Sequence, residues 1–397
     1  MISSFNKILS KITFLLMINH LSASEWVDLG TPGPSEPSWE VDAMSASNLE
    51  ISFHLKGFIK EQLRDGKNRI SFPSSVPILE RGAPNLPRMA RSIIIPDLAH
   101  MRLSILNTEF VDIDMSDIEP SKGNLTRDIV PATIPYTYGK AYEVDEFYPS
   151  DIAFLREPYI LRTLRGQAVV FQPLQYNPVQ RILRVYTHIN ISIQEDGASH
   201  VNPLTRRPSN AGSREFDHMY RDHFINFPTN ERYDILSEEG PMLVISHGEF
   251  LDEMQTFIDW KNYKGIPTEI VDVSEIGDVE AMEQFIEDQY YENGIAFVLL
   301  VGDIAQIESI RRSNGNGSNS PSDNSFSFVA GDDYYPDLMI GRFSAETGEH
   351  VETMVERTIS YEMNPDPEGI WYRKGAGFAS NQGPGDDGEY DEEHMDN

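Results

Sequence analysis

The spacing of hydrophobic residues divides the chain into two parts with different periods. From residue 26 to about residue 227, apolar and polar positions alternate, as at Ile51, Phe53 and Leu55. A period of two is typical of β-strands that bury one face. Prolines exclude long helices from this half; they cluster at residues 32–37, 84–87 and 173–178. The first half is therefore predicted to be a β-rich, sandwich-like domain.

After Pro241 the pattern changes to short apolar strands separated by helical stripes. The strands are predicted at residues 242–246, 268–273 and 296–301, and the intervening helices end at Gly265 and Gly294. A β-α-β-α-β order predicts an open, doubly wound parallel sheet with right-handed crossovers. Ligands of such sheets bind beyond the carboxyl ends of the strands, and Asp303 follows the third strand there.

The rest of the second half extends this pattern to the end of the chain. A helix is predicted over residues 351–362 and a fourth strand over residues 371–380, after a flexible loop at residues 311–325 that is rich in Asn, Gly and Ser. The last twelve residues, 386–397, include seven acidic residues and no final helix or strand. We therefore expect a C-terminally truncated α/β domain.

A polar stretch connects the two halves. Residues 202–239 contain five arginines and few apolar pairs. This composition predicts a linker that proteases can reach.

The charge of the chain excludes some classes of partner. The 397 residues include 63 acidic and 32 basic side chains, which gives a net charge of −31. The negative field of these charges repels nucleic acid and anionic lipid, so nucleic acid is not expected as a partner. Cations are the expected partners. A soluble extracellular surface is the simpler explanation for most of the charge.

The first residues are typical of an export signal. Lys7 and Lys11 precede an apolar stretch from Ile12 to Leu21, and the small residue Ala23 follows. Residues 1–24 are therefore predicted to be a signal peptide of a secreted or cell-surface protein. The apolar stretch is about ten residues long, where a transmembrane span needs about twenty, so no transmembrane span is expected. Exported proteins often contain disulfides, but this chain has no cysteine, and bound calcium is a candidate stabiliser.

Two acidic segments are candidate binding sites. In residues 331–337, Asp333 and Asp337 flank the carbonyl of Tyr335, and Asp303 could supply a further oxygen. A hard cation such as calcium takes about six to eight such oxygens; a solvated acidic turn is the alternative. Residues 383–391 either bind a metal or a basic substrate side chain, or form a disordered acidic end.

Motifs for other hydrolases are missing from the sequence. There is no Gly-x-Ser-x-Gly motif and no His-Glu-x-x-His motif, so serine hydrolase and zinc peptidase functions lack support. His247 and His394 are both expected to be surface histidines. Without cysteine, the 397 residues cannot perform thiol chemistry by themselves.

Several blocks resemble the gingipain family of cysteine peptidases. In the second half they are Phe257-Ile258-Asp259-Trp260-Lys261-Asn262, Val298-Leu299-Leu300-Val301-Gly302-Asp303 and Ile340-Gly341-Arg342-Phe343-Ser344. In the first half they are Gly82-Ala83-Pro84-Asn85-Leu86-Pro87, Ser92-Ile93-Ile94-Ile95-Pro96 and Gln175-Tyr176-Asn177-Pro178. The resemblance implies a β-rich propeptide at residues 25–232 and the N-terminal part of a caspase-like catalytic domain at residues 233–397.

The resemblance also implies roles for individual residues. A structural calcium ion would be held by Asp303, Asp333 and Asp337 with the carbonyls of Ala330 and Tyr335. The propeptide would be removed between Arg232 and Tyr233, and Asp391 would receive the basic side chain of a protein or peptide substrate. Gln382 stands at the third-residue position, that of the residue that supports the catalytic pair, where some members have a glutamate that orients the catalytic histidine.

Two functions remain open from the sequence. The first is a cysteine endopeptidase zymogen, inhibited by its own propeptide and cleaving after basic residues, whose catalytic histidine and cysteine lie beyond Asn397. The second is a secreted non-catalytic calcium-binding or secretion-associated protein on the same scaffold. Gln382 slightly favours the second, because a neutral amide stabilises an imidazolium less than a carboxylate does.

Overall fold

The computed structural model describes residues 23–126, 129–209, 212–228, 239–313 and 319–375. Most of the predicted signal peptide, the Arg232–Tyr233 junction, Gln382 and Asp391 lie outside these ranges. Ala23 and Ser24, the last two residues of the predicted signal peptide, begin the first strand. None of the helices in the described ranges combines the length and apolarity that crossing a membrane requires.

The first half is built from antiparallel strands. Within the described ranges they are β1 (Ala23–Asp28), β2 (Ser38–Ser45), β3 (Asn48–His54), β4 (Gly57–Gln62), β5 (Asn68–Ser71), β6 (Val76–Pro77), β7 (Pro87–Ile94), β8 (Ala99–Asp114), β9 (Ala153–Leu161), β10 (Leu164–Phe171), β11 (Leu174–Asn177) and β12 (Ile182–Ala198). Short 3₁₀ turns occur at Pro131–Thr133 and Lys140–Tyr142.

These strands form sheets that pack face to face. One sheet has the order β6-β7-β10-β9, a second has the order β11-β12-β3-β2 with β8 also paired to β12, and a small third sheet has the order β1-β4-β5. Phe53 from the second sheet stacks on Phe171 from the first, with ring centroids 5.0 Å apart. Alternate residues of β3 are fully buried, as the period of two predicts. The β-rich, sandwich-like prediction is confirmed.

The connection between the halves is not an open linker throughout. Residues Arg214–His223 form helix α1, in which Phe216 and Tyr220 are buried. Both pack in a cluster with Tyr159 of β9 and with Phe224. The linker prediction is wrong for this segment, because its arginines cover one helix face and the aromatic residues at a spacing of four form the other.

The second half alternates strands and helices. Within the described ranges they are β13 (Met242–Ser246), α2 (Leu251–Tyr263), β14 (Thr268–Asp272), α3 (Val273–Ile276), α4 (Val279–Asn293), β15 (Phe297–Val301), β16 (Arg311–Ser313), β17 (Asn319–Pro321), β18 (Met339–Phe343) and α5 (Gly348–Met363). Short 3₁₀ turns occur at Gly248–Phe250, Asp323–Ser327 and Ile370–Arg373.

The main sheet of this half is parallel and is covered on both faces. Its order is β14-β13-β15-β18. Leu243 and Ile245 of β13 face a core that includes Met282 and Ile286 of α4. Val244 faces the opposite core, which α2 and α5 cover. The doubly wound α/β prediction is therefore confirmed, and the arrangement is consistent with a caspase-like domain.

Two local predictions in this half were wrong. Residues 311–313 and 319–321 pair as the β16–β17 hairpin, although the predicted loop covered them. The predicted fourth strand would begin at Trp371, but Ile370–Arg373 is a 3₁₀ turn. Residues 376–380 of that strand lie outside the described ranges.

Candidate functional site

The carboxyl edge of the parallel sheet brings together the residues that follow β13, β14, β15 and β18. The N–H of His247 donates to the carbonyl of Val301 at 3.0 Å, and the N–H of Asp303 donates to the carbonyl of Ala345 at 2.9 Å. The Ser344 hydroxyl donates to Asp303 Oδ1 at 2.7 Å. This hydrogen bond and the N–H of Ile304 lower the pKa of Asp303, which is partly exposed.

At the same edge, His247 follows Ser246 of β13, which pairs with Asp272, the last residue of β14. Nδ1 of His247 is buried and has no hydrogen-bond partner among the described residues. The next residue, Gly248, lies so close to Asp272 that an added Cβ would be 2.5 Å from its Oδ2. Asp272 Oδ1 accepts the N–H of Ser274 and so caps α3. The edge therefore presents His247, Asp272 and Asp303, but the sequence supplies no thiol nucleophile.

Asp303 lies apart from the other four predicted calcium ligands in this structure. Phe297 pairs with Met339 and Val301 pairs with Phe343, so β15 and β18 run in parallel. Asp303 follows the end of β15, whereas Asp337 precedes the start of β18. The paired strands alone, four residue steps of about 3.3 Å, separate them by at least roughly 13 Å. Among the described residues, no group of three His, Cys, Asp or Glu side chains is arranged to hold a metal.

Asp337 is directed at backbone amides. Its side chain is 0% exposed. Oδ2 accepts the N–H groups of Val329 and Ala330 at 2.9 and 2.7 Å, and Oδ1 accepts the N–H of Arg162 at 2.7 Å. Burial raises the pKa of Asp337 to about 7, against the opposing effect of these donors.

Asp333 uses its oxygens in the same way. Oδ2 accepts the N–H of Ile160 at 2.8 Å, and Oδ1 accepts the N–H of Tyr335 at 2.9 Å. Burial raises its pKa as well. Both carboxylates face N–H donors here, and the calcium role of Asp333 and Asp337 stays a prediction. They bind the turn of the first half that contains Ile160 and Arg162.

This contact between the halves was not predicted from the sequence. Arg162 lies in the turn between β9 and β10, and its side chain is completely buried against the second half. The hydroxyl of Tyr290 in α4 donates to the carbonyl of Arg162 at 3.0 Å. A single arginine between two apolar strands carries no signal of its partner, so only the tertiary structure identifies this residue.

Comparison with known proteins identifies both halves. Residues 42–234 match the family Propeptide_C25, and residues 235–397 match Peptidase family C25. The chain is 32% identical to Gingipain R1 of Porphyromonas gingivalis over 401 residues, which is 98% of this chain and 40% of that protein. The chain belongs to the gingipain family.

The gingipain relatives differ in how closely they match. Gingipain R2 of Porphyromonas gingivalis is 32% identical over 403 residues, which is 98% of this chain and 53% of that protein. Lys-gingipain of the same organism is 24% identical over 320 residues, which is 77% of this chain and 18% of that protein. The chain thus spans about half or less of the length of these gingipains.

A solved gingipain structure also matches. The complex of Porphyromonas gingivalis RgpB pro- and mature domains is similar at a TM-score of 0.42 and 33% identity, over 48% of this chain and 98% of that chain. The two family matches meet between residues 234 and 235, within a segment outside the described ranges. The boundary at residues 232 and 233, and the roles of Arg232, Tyr233, Gln382 and Asp391, stay predictions.

Proposed function

We propose that this chain is part of the precursor of a secreted cysteine endopeptidase that cleaves proteins after basic residues. The observation that supports it is the adjacent match to the gingipain propeptide and peptidase families along one chain. The reaction would be thiolate attack on a peptide carbonyl, with a histidine as proton donor and an acyl-enzyme intermediate. The thiolate would come from a part of the protein other than these 397 residues, which contain no cysteine.

The first half would act as an intramolecular propeptide. It is hydrogen-bonded to the peptidase half, because the N–H groups of Ile160 and Arg162 donate to the carboxylates of Asp333 and Asp337. A complex of pro- and mature domains is known for RgpB, a relative of this chain. Export would follow from the predicted signal peptide at residues 1–24, and calcium remains a candidate ligand outside the arrangement seen here.

Specificity for basic residues would rest on Asp391. A carboxylate at the substrate pocket pairs with a guanidinium or ammonium group and rejects neutral side chains. The full-length protein would be tested on matched peptides with Arg, Lys or Gln before the scissile bond, before and after alkylation of thiols. We expect cleavage after Arg or Lys that alkylation abolishes, and weaker cleavage in Asp391→Asn. Cleavage that survives alkylation would contradict the thiolate mechanism.

A non-catalytic function is the second candidate, and Gln382, at a position where some gingipains have a glutamate, slightly favours it. The same assay separates the two proposals. A full-length protein that is folded and secreted but cleaves none of the peptides would support a binding or secretion-associated role. The substitution Gln382→Glu would not create activity in that case, because no nucleophile would be present.

A further inference from the structure

The turn between β9 and β10 leaves the propeptide sheets and enters the peptidase half. Arg162, at the tip of this turn, has a left-handed backbone with a φ of 51°. Its side chain is among the largest that are fully buried. A buried arginine at the tip of a turn requires a partner surface, because an uncompensated buried charge is strongly unfavourable.

The partner surface is formed by carbonyl groups of the peptidase half. Nη1 donates to the carbonyls of Ile295 and Asp337 at 3.0 and 2.9 Å, and Nη2 donates to the carbonyl of Gly294 at 2.9 Å. Gly294 and Ile295 directly follow α4. Carbonyls at the C-terminus of a helix carry partial negative charge, which favours a cation there.

An aromatic ring completes this socket, which we define as the carbonyls of Gly294, Ile295 and Asp337 with the ring of Tyr290. The guanidinium carbon lies 5.4 Å from the centre of the Tyr290 ring and 4.9 Å from that of Phe216, which α1 of the propeptide half supplies. No described carboxylate forms an ion pair with Arg162. Carbonyl dipoles and ring faces therefore stabilise its charge.

The main chain of Arg162 is also bonded across the interface. Its N–H donates to Asp337 Oδ1, and its carbonyl accepts the Tyr290 hydroxyl. Except for Nε, which has no partner among the described residues, every polar group of Arg162 bonds to the peptidase half. The edge of the interface has more exposed contacts. Arg206 is exposed, and its guanidinium lies 4.0 Å from the ring centre of Tyr291.

We propose that Arg162 is the anchor that holds the propeptide half on the peptidase half, in a guanidinium-recognising socket at the amino edge of the parallel sheet. This edge is opposite the one that presents His247 and Asp303. Docking here leaves the carboxyl edge free of the anchor. Because none of the hydrogen bonds of Arg162 involves the junction between residues 232 and 233, the propeptide half stays bound after that junction is cut. The proposal concerns association of the halves and does not require the peptidase activity.

Arg165 provides an internal comparison for a purely structural role. It is as buried as Arg162 and lies on the same hairpin. Its guanidinium donates to the carbonyls of Pro96, Ala99, Val201 and Asn202, all of them in the propeptide half. Substitution of Arg165 should therefore weaken the propeptide fold, whereas substitution of Arg162 should weaken docking.

The test uses the full chain with a sequence-specific protease site inserted between Arg232 and Tyr233. After cutting, the rate at which the halves separate on dilution is followed by size-exclusion chromatography, and the folding of each half by circular dichroism. We expect Arg162→Met to speed separation by at least about thirtyfold, because three buried carbonyls lose their donors. Arg162→Lys should restore only part of the lifetime, because an ammonium cannot match the planar fork.

Two matched variants make the outcome decisive. Arg206→Ala should change the separation rate by less than about threefold, as expected for the exposed edge of an interface. Arg165→Lys should lower the thermal midpoint of the propeptide half and leave the separation rate close to that of the unmodified chain. If the folded halves of Arg162→Met separate as slowly as the unmodified halves, the proposal that Arg162 anchors the propeptide half is wrong.

If Arg162→Met does not fold, Tyr290→Phe tests the same contact by a change in the peptidase half. It removes only the hydroxyl that donates to the Arg162 carbonyl, and the ring that packs on the guanidinium stays. Separation at least about threefold faster would support the proposal. An unchanged rate in both Tyr290→Phe and Arg162→Lys would overturn it.

Discussion

Arg162 and Asp337 bind each other twice, although no ion pair joins their side chains. The N–H of Arg162 donates to Oδ1 of Asp337 at 2.7 Å, and Nη1 of Arg162 donates to the carbonyl of Asp337 at 2.9 Å. One residue of the propeptide half thereby holds the side chain and the main chain of one residue of the peptidase half. The loop before β18 and the β9–β10 turn therefore stabilise each other.

The first prediction concerns the Asp337 carboxylate. Asp337→Asn places an amide nitrogen where a carboxylate oxygen now accepts N–H groups, so at least one buried donor loses its acceptor. We expect a loss of roughly 2–4 kcal/mol in the free energy of unfolding, measured by urea titration. Asp303→Asn is the control, because Asp303 is partly exposed and accepts fewer N–H groups than Asp337. An equal effect of the two changes would contradict the buried role of Asp337.

The second prediction is a pH dependence at Glu362 of α5. Its carboxylate accepts Lys261 Nζ at 2.6 Å, Lys264 Nζ at 3.0 Å and Trp260 Nε1 at 2.7 Å, and so ties α5 to α2. These donors lower the pKa of Glu362 to about 2, from an ordinary value of 4.5, although burial opposes them. Because the folded pKa is the lower one, the stabilisation is present above pH 4.5 and is lost as the pH falls towards 2.

Glu362→Gln tests this pH dependence. The free energy of unfolding of Glu362→Gln should lie about 1–3 kcal/mol below that of the unmodified chain at pH 7, since Lys261 is buried and loses its counter-charge. The gap should narrow steadily between pH 4.5 and the acid limit of folding. Glu356→Gln, on an exposed position of the same helix, serves as the reference. A gap independent of pH would exclude ionisation of Glu362 as its source.

The third prediction follows from the separation of Asp303 and Asp337. If the precursor binds calcium, Asp303→Asn should leave the affinity within about twofold, because the two residues lie at opposite edges of the sheet. Isothermal titration of calcium into the unmodified chain and the variant gives this comparison. A tenfold loss of affinity in Asp303→Asn would show that the five-ligand set assembles after all.

The fourth prediction concerns α1 in the polar connection. Arg214 and Arg221 lie in this helix and should resist trypsin, although the composition of the segment suggests an open linker. Phe216→Ala should remove about 3–5 kcal/mol of local packing and a ring face beside Arg162, and so expose both arginines. Mass spectrometry of timed digests would locate the cuts. Early cleavage at Arg214 in the unmodified chain would contradict the packed helix.

The sequence alone determined the fold class of each half. A period of two at Ile51, Phe53 and Leu55 can be buried only by strands, and the three apolar strands after Pro241 can be covered only by helices on both faces. The blocks around Asp259, Asp303 and Arg342 were sufficient to recognise the gingipain family, because local side-chain order survives when the rest of the sequence changes.

Only the tertiary structure decided which residues meet. Asp303 and Asp337 were grouped because both could supply oxygens to one cation and because the gingipain resemblance implies a shared calcium site. Parallel register places them at opposite ends of β15 and β18. Arg162 had no distinguishing neighbour in the sequence, and its partners lie 132 and more positions away in Gly294, Ile295 and Asp337. Periodicity reports how much of each element is buried, whereas contacts between elements depend on packing across long separations, which local pattern does not encode.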